Sequence, residues 1–378
     1  MVETVLHLSH TDIRHDSRIL KQLKALGSLN KNIVGIGVNS LELDKNVHSN
    51  EQIKIITLEL FTKKIKFLPR FFRHIFNFGE LNFKLISYLI KFKPSVVHCH
   101  DTTVLPIGVV MSFFYNYTII YDAHELESNR NGQGKFFSSV VFYLEKILWK
   151  RIDIFISVSD SIIEWYNTKL GPKKSCLILN SPDIKIIENH KNDENAYYFH
   201  NLFNINKDRK IFIYLGIIGE GRGIHKYIEV FKNNSFNADI VFVGYGELTN
   251  YVKESSEIFK SIHYHNPVKH DEVVSLVKSA DYGLCFIENI SLSDYFCLPN
   301  KLFEYAFSGL TIIGSDFPEI RKVVQDYNLG YTTKPEVSNM ISLISTVVDK
   351  PKVEFKNLYE LSWPAQVEKL LNIYSNLN

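Results

Sequence analysis

Lys301 and Glu304 lie three residues apart at the start of a helical run that opens with Pro299, so both side chains share one face of its first turns. A cation beside the free N–H groups of a helix start suits a pyrophosphate. An acceptor-only carboxylate suits a pair of vicinal hydroxyls such as those of a ribose. The same two residues also read as a surface ion pair, worth only ~0.2–0.5 kcal/mol. Upstream, the strand-like run KIFIYLG leads into IIGEGRGIHKYIEVF, where Gly216, Gly219, Gly221 and Gly223 precede an amphipathic helix. Glycines there let backbone N–H groups approach a phosphate, and Arg222 adds a full positive charge. The spacing is not Gly-x-Gly-x-x-Gly and no acid ends the next strand, which disfavours a dinucleotide cofactor. A tight strand-to-helix turn without ligand is the alternative.

A second group of reactive residues sits in the first half. His98, His100 and Asp101 end one strand and His124-Glu125 follows another, on the crevice side of an open α/β sheet. Period-two spacing puts both imidazoles of His98 and His100 on one strand face. They could hold a metal for hydrolysis, although such a hydrolase needs this pair on its first strand and further ligands on later ones. The reading preferred is that His100 and Asp101 line an acceptor site, with His98 in the core. Asp16 and Arg18, at the start of the first helix, either touch an acceptor or cap that helix.

The elements that must position these groups alternate. Strands are expected at TVLHL, NIVGIGV, SVVHCH, YTIIY, DIFISV and CLIL, with a helix near 136–150 in which Phe137, Val140, Val141, Leu144 and Leu148 recur at helical spacing. A polar connector, DIKIIENHKNDENAYYFHNLFNINKDRK, follows Asn180-Ser181-Pro182. The rhythm restarts at KIFIYLG, ADIVFVG, SIHYH, YGLCFI and LTIIGS. The pattern predicts an α/β fold with two parallel-sheet domains, 1–183 and 208–358. A helix over 362–378 has Ser362 as N-cap and an apolar stripe of Trp363, Val367, Leu370 and Tyr374, so it must dock on something.

The chain has 378 residues, 45% of them hydrophobic and 22% charged, with a net charge of +2. That is globular composition, without the basic excess of a dedicated nucleic-acid binder. The four scattered cysteines suggest reduced thiols, and no secretory signal or membrane span is expected, which points to the cytoplasm. From Phe61 to Pro94, however, eight cations face one acid among nine aromatic residues. Lys63, Lys64, Lys66, Arg70 and Arg73 there are candidates for contact with anionic lipid headgroups; a core helix with a basic exposed face, or single-stranded nucleic acid, are the other readings.

Pro299-x-Lys301-x-x-Glu304-Tyr305 followed by Ser308-Gly309 resembles the donor-site helix of family 4 glycosyltransferases. The ordered landmarks YLGIIGEGRG, FVGYGEL, SADYGLCFIE and DFPEI are similar to the same family, as are YDAHELE and ILNSPD in the first half. The resemblance implies a GT-B fold, two Rossmann-like domains facing a cleft, with the C-terminal helix crossing back onto the first. It implies a retaining hexosyl- or N-acetylhexosaminyl-type transferase that needs no metal or cofactor and takes a UDP- or GDP-sugar. Carried over, Glu304 would bind the ribose, and Arg222 beside Gly223 the diphosphate. Gly219, Asn300 and Lys301 would complete that donor site, with Val268 reading the base through its backbone. His124 would lie near the sugar, with Asp16, Arg18, His100, Asp101 and Glu125 on the acceptor side. Phe296 stands where the family often has a first glutamate and Ile217 where an arginine is frequent; Lys301 can supply the missing charge. The acceptor expected is a glycan, lipid-linked and met on the inner face of the cell membrane during surface polysaccharide assembly. An epimerase on the same scaffold, or a non-catalytic nucleotide-binding module, are the rival readings.

Overall fold

The computed structural model describes residues 3–39, 53–65, 69–183, 197–233, 236–268 and 272–377. They form two compact units, Met1–Ile178 with Val367–Asn378, and Leu179–Gln366.

The first unit runs β1 (Thr4–Leu8), α1 (Ser17–Leu26), β2 (Asn32–Val38), β3 (Ile53–Leu58), α2 (Arg70–Phe92), β4 (Val96–His100), α3 (Leu105–Met111), β5 (Thr118–Ala123), α4 (Lys135–Leu148), β6 (Ile154–Ser157), α5 (Asp160–Leu170) and β7 (Lys174–Leu177). All seven strands are parallel, in the order β3-β2-β1-β4-β5-β6-β7. The central strands are buried on both faces, which is why TVLHL and SVVHCH read as continuous apolar runs broken only by histidines. The outermost strand β3 was not among the strands expected from the sequence.

The second unit runs α6 (Tyr198–Phe203), β8 (Lys210–Ile217), α7 (Ile224–Phe231), β9 (Ala238–Tyr245), α8 (Thr249–Ile258), β10 (Ile262–His265), α9 (Val273–Val277), β11 (Tyr282–Cys285), α10 (Leu292–Tyr295), α11 (Asn300–Phe307), β12 (Thr311–Ser315), α12 (Pro318–Asp326), β13 (Gly330–Thr333) and α13 (Val337–Val347). Its six parallel strands are ordered β10-β9-β8-β11-β12-β13. Helix α6 falls within the stretch expected to be a plain connector, and β13 is a further edge strand.

Helix α14 (Trp363–Ser375) follows, and its residues from Val367 onward belong to the first unit. There Leu370 and Tyr374 are fully buried. Ser362 stands at its N-terminus, its hydroxyl 3.5 Å from the Ala365 N–H.

In each sheet the chain reverses its direction of strand addition once, between β1 and β4 and between β8 and β11. Loops leaving the carboxyl ends of those neighbouring strands diverge and open a crevice. Among the groups singled out for chemistry, Asp101 follows β4, His124 and Glu125 follow β5, Gly219, Arg222 and Gly223 follow β8, and Lys301 and Glu304 follow β11.

Candidate functional site

In the second unit the loop after β8 turns on glycines. Gly223 precedes α7 at φ +76°, a left-handed conformation that costs a side-chain-bearing residue energy. The loop is tied to the segment after β11 by the Glu288 N–H donating to the Gly221 carbonyl at 3.0 Å and by the Lys226–Glu288 ion pair at 3.1 Å. Lys301, in the first turn of α11, reaches back over this loop. Its Nζ stands 3.8 Å from the centre of the Tyr214 ring, and a Cβ placed on Gly216 would lie 3.9 Å from it. Burial pushes the Cys285 thiol up to about 12, while the charges of Lys301 and Arg222 act against that shift. Both cations therefore act on the end of β11. No side chain caps the first turn of α11, where the Leu302 N–H donates to the Pro299 carbonyl at 3.0 Å. Asn300 is exposed there, and Glu304 is half-buried one turn on.

Tyr305 holds α11 in place. The β8–β11 ladder ends at Ile213 and Gly283, and beyond it the Tyr305 hydroxyl accepts from the Leu215 N–H at 2.9 Å. Gly283 makes room for the ring, since a Cβ there would meet it at 2.3 Å. Neither role could be assigned from spacing, although Tyr305 stands inside the motif that carries the family likeness.

In the first unit four histidines, a tyrosine and an aspartate form a closed chain. His7 on β1 pairs in register with His98 on β4, and their rings stack at 4.4 Å, as do those of His98 and His100. His124 Nε2 meets His100 Nδ1 at 3.1 Å, and His100 Nε2 meets His7 Nδ1 at 3.0 Å. His7 Nε2 meets the Tyr374 hydroxyl at 3.3 Å, which meets His98 Nδ1 at 2.7 Å. His98 Nε2 then faces Asp122 Oδ2 at 3.6 Å, and Asp122 faces His124 Nε2 at 3.7 Å. One assignment gives each contact from His124 through His100, His7, Tyr374 and His98 to Asp122 a single donor, each N–H or O–H pointing onward, while the His124 Nε2 proton spent on His100 leaves the 3.7 Å contact with Asp122 as one between charges.

Burial is the largest influence on His7, His98 and His100 and pushes all three imidazoles down, to the neutral form. His124 differs. Burial opposes its charge, but the Asp101 and Asp122 carboxylates outweigh it and raise its pKa above that of a free imidazole. Asp122 is held well below the usual carboxylate range: burial would raise it, and Arg18 and His124 override that. Its carboxylate accepts from Arg18 Nη2 at 2.8 Å and from Gln22 Nε2 at 2.8 Å.

His100, Asp122 and His124 bring three ligand-type atoms within 4.8 Å of one another, as do His7, His98 and His100. The first set already carries the Arg18 guanidinium on its carboxylate, and that charge opposes a dication.

The expected acceptor-side residues separate into three kinds. Asp101 and His124 are brought together, with the His124 N–H donating to Asp101 at 3.3 Å. Glu125 is exposed and paired with Arg130 at 3.2 Å. The remaining three are engaged within the unit. Asp16 caps α1 by accepting from the Ile19 N–H, Arg18 is buried between Asp122 and the Ile178 carbonyl, and His100 is buried in the histidine chain. Val268 is half-buried beyond β10, and Gly219 faces Glu247. Lys63 and Arg73 are described near and on α2; Lys66 and the side chains of Lys64 and Arg70 lie outside the described residues. His7, Gln22, Asp122 and Tyr374 were not foreseen. The one signal for His7 is that TVLHL, like SVVHCH, carries a histidine inside a strand-like apolar run.

Two family descriptions match this chain, Glycosyltransferase Family 4 over residues 45–185 and Glycosyl transferases group 1 over residues 199–356. Between them they span most of it. The chain belongs to the family 4 glycosyltransferases. It is thus a retaining enzyme that uses nucleotide-sugar donors. This glycosyltransferase has a GT-B-like fold, similar to that of sucrose-phosphate synthase from Thermosynechococcus elongatus, with a TM-score of 0.80, 14% identity and 99% of each chain covered. HepE of Anabaena, solved with UDP, has a TM-score of 0.73 at 12% identity, covering 98% of this chain and 99% of its own. The same protein solved with UDP-glucose has a TM-score of 0.71 at 12% identity over the same shares. No curated protein matches the glycosyltransferase by sequence. No helix among its described residues is long and apolar enough to cross a membrane.

Proposed function

We propose that the enzyme moves a hexosyl or N-acetylhexosaminyl group from a UDP- or GDP-sugar to a lipid-linked glycan on the inner face of the cell membrane, without a metal ion, in surface polysaccharide assembly. The observation that carries the donor half is the placement of Lys301 at the carboxyl end of β8, its Nζ over the Tyr214 ring and beside Gly216. When the glycosidic bond to the donor breaks, negative charge gathers on the departing diphosphate. Fixed cations and the N-terminal end of α11 stabilise that charge without reorganising, and so substitute for a metal. Glu304 accepts from the ribose hydroxyls. Its raised pKa keeps His124 an N–H donor, which suits it to orient a sugar hydroxyl rather than to act as a base. The HepE structures with UDP and UDP-glucose make uracil the first base to try.

Calorimetric titration with UDP and GDP, for wild type and Glu304→Ala, tests this reading. One nucleotide binds, the substitution weakens it at least tenfold, about 1.4 kcal/mol, and chelator has no effect. Failure to bind either nucleotide, or equal binding by the variant, overturns the donor assignment.

A further inference from the structure

Two helices of the first unit are apolar on two sides. Helix α2 buries Leu81, Leu85 and Leu89, yet Phe72, Phe76, Phe83 and Ile90, spaced i, i+4, i+11 and i+18, form a second stripe that is exposed. Helix α4 buries Val141 and Leu148 and exposes Phe136, Val140, Tyr143 and Ile147 at i, i+4, i+7 and i+11. Phe136 and Ile147 are 79% and 74% exposed. Helix α3 packs against both, and after it Phe113 and Phe114 are also exposed. The Arg151 guanidinium stands 4.1 Å from the Phe113 ring centre and joins the α3 end to the α4 end. Isolated exposed apolar residues are ordinary, whereas stripes on neighbouring helices mark a contact surface.

Charge selects the partner. Arg73, Lys84, Lys91 and Lys93 accompany α2, and Lys135, Lys146, Lys150 and Arg151 accompany α4, while 103–117 carries no charged residue. The two acids are withdrawn. Glu80 is bonded to Lys84 and Thr62, and Glu145 is buried beneath the hydroxyls of Thr102, Tyr121 and Tyr166. Two copies of such a face would set cation against cation, which disfavours self-association.

We infer that α2, the end of α3 and α4 together seat the enzyme on an anionic bilayer, with aromatic rings at the headgroup–acyl boundary and cations at the phosphates. This deepens the lipid-linked acceptor reading and extends the contact well beyond the basic segment at 61–94. Co-sedimentation of the full chain with phosphatidylglycerol–phosphatidylcholine vesicles tests it. Binding is expected to be strong at low salt and weak to phosphatidylcholine alone. Phe136→Ser with Ile147→Ser, and separately Lys146→Glu with Lys150→Glu, each weaken it at least tenfold while UDP binding is unchanged. Vesicle binding by a wild type that ignores UDP and GDP would leave this surface standing and remove the donor assignment. Absence of wild-type binding, binding that both double variants retain, or a stable dimer that the serine variant dissociates would each overturn the inference.

Discussion

Replacing Tyr305 by Phe removes one oxygen from the junction that fixes the donor helix. The hydroxyl accepts from the Leu215 N–H at 2.9 Å and stands 3.3 and 3.4 Å from the carbonyls of Ile213 and Leu284. The strands have parted there, so no ladder bond takes over when it goes. The ring still fills the space above Gly283, and packing is kept. What is lost is the partner of a buried backbone N–H, which costs ~1–3 kcal/mol. For a unit of this size each kcal/mol lowers Tm by roughly 2–4 °C, so a loss of about 2 kcal/mol predicts a fall of roughly 4–8 °C by thermal circular dichroism. Lys301 and Glu304 ride on the loosened helix, so UDP affinity should fall by less than tenfold, about 1 kcal/mol. An unchanged Tm, within about 1 °C, would refute the claim that this hydroxyl bridges the parted strands. A lower Tm with unaltered UDP affinity would refute the link from Tyr305 to the donor residues.

Asp101→Asn takes away the carboxylate that does most to keep His124 charged, so the His124 imidazole should lose its proton at lower pH than in wild type; NMR titration of its ring protons reads the shift directly. Glu145 is pushed up to about 7 by burial, above the ordinary 4.5, although Tyr121, Tyr166 and Thr102 donate to it. Folding therefore favours its protonated form. Stability is full below about pH 4.5 and lost as pH rises toward 7, by roughly 3 kcal/mol at pH 8. Glu145→Gln should accordingly raise Tm relative to wild type at pH 8 and leave it unchanged near pH 4.5. Equal differences at both values would mean that the carboxyl is not held neutral.

Much of this architecture is legible in the sequence because central strands of a parallel sheet must be apolar on both faces. TVLHL, SVVHCH and KIFIYLG announce themselves. Edge strands need not, and β13, whose GYTT is half-buried throughout, has no apolar run to detect. Helix α4 shows a different limit. Phe137, Val140, Val141, Leu144 and Leu148 recur at helical spacing, and the helix is there, yet Phe137 and Val140 face outward. When apolar residues surround a helix, periodicity proves the helix without saying which side meets the core. Lys301 and Glu304 could be singled out together because they are local, three positions apart on one short helix. The histidine chain was not, since its members meet only after β1, β4 and β5 are laid side by side. Asp16 and Arg18 looked alike as loop-and-helix residues; Asp16 makes a local cap with the Ile19 N–H, whereas tertiary packing makes Arg18 a buried counter-ion of Asp122.

The chain closed by Tyr374 has a consequence for biogenesis. Its hydroxyl completes contacts with His98 and His7, residues 276 and 367 positions earlier. The unit whose strands leave the ribosome first is therefore the one finished last. Until residues beyond 366 are released, His7 and His98 lack their Tyr374 partner and face an open slot, while the intervening unit can fold as an uninterrupted segment. Vectorial synthesis thus holds the first unit in an unsealed state through translation of the second. Release of the C-terminal helix from the exit tunnel is the event that seals it.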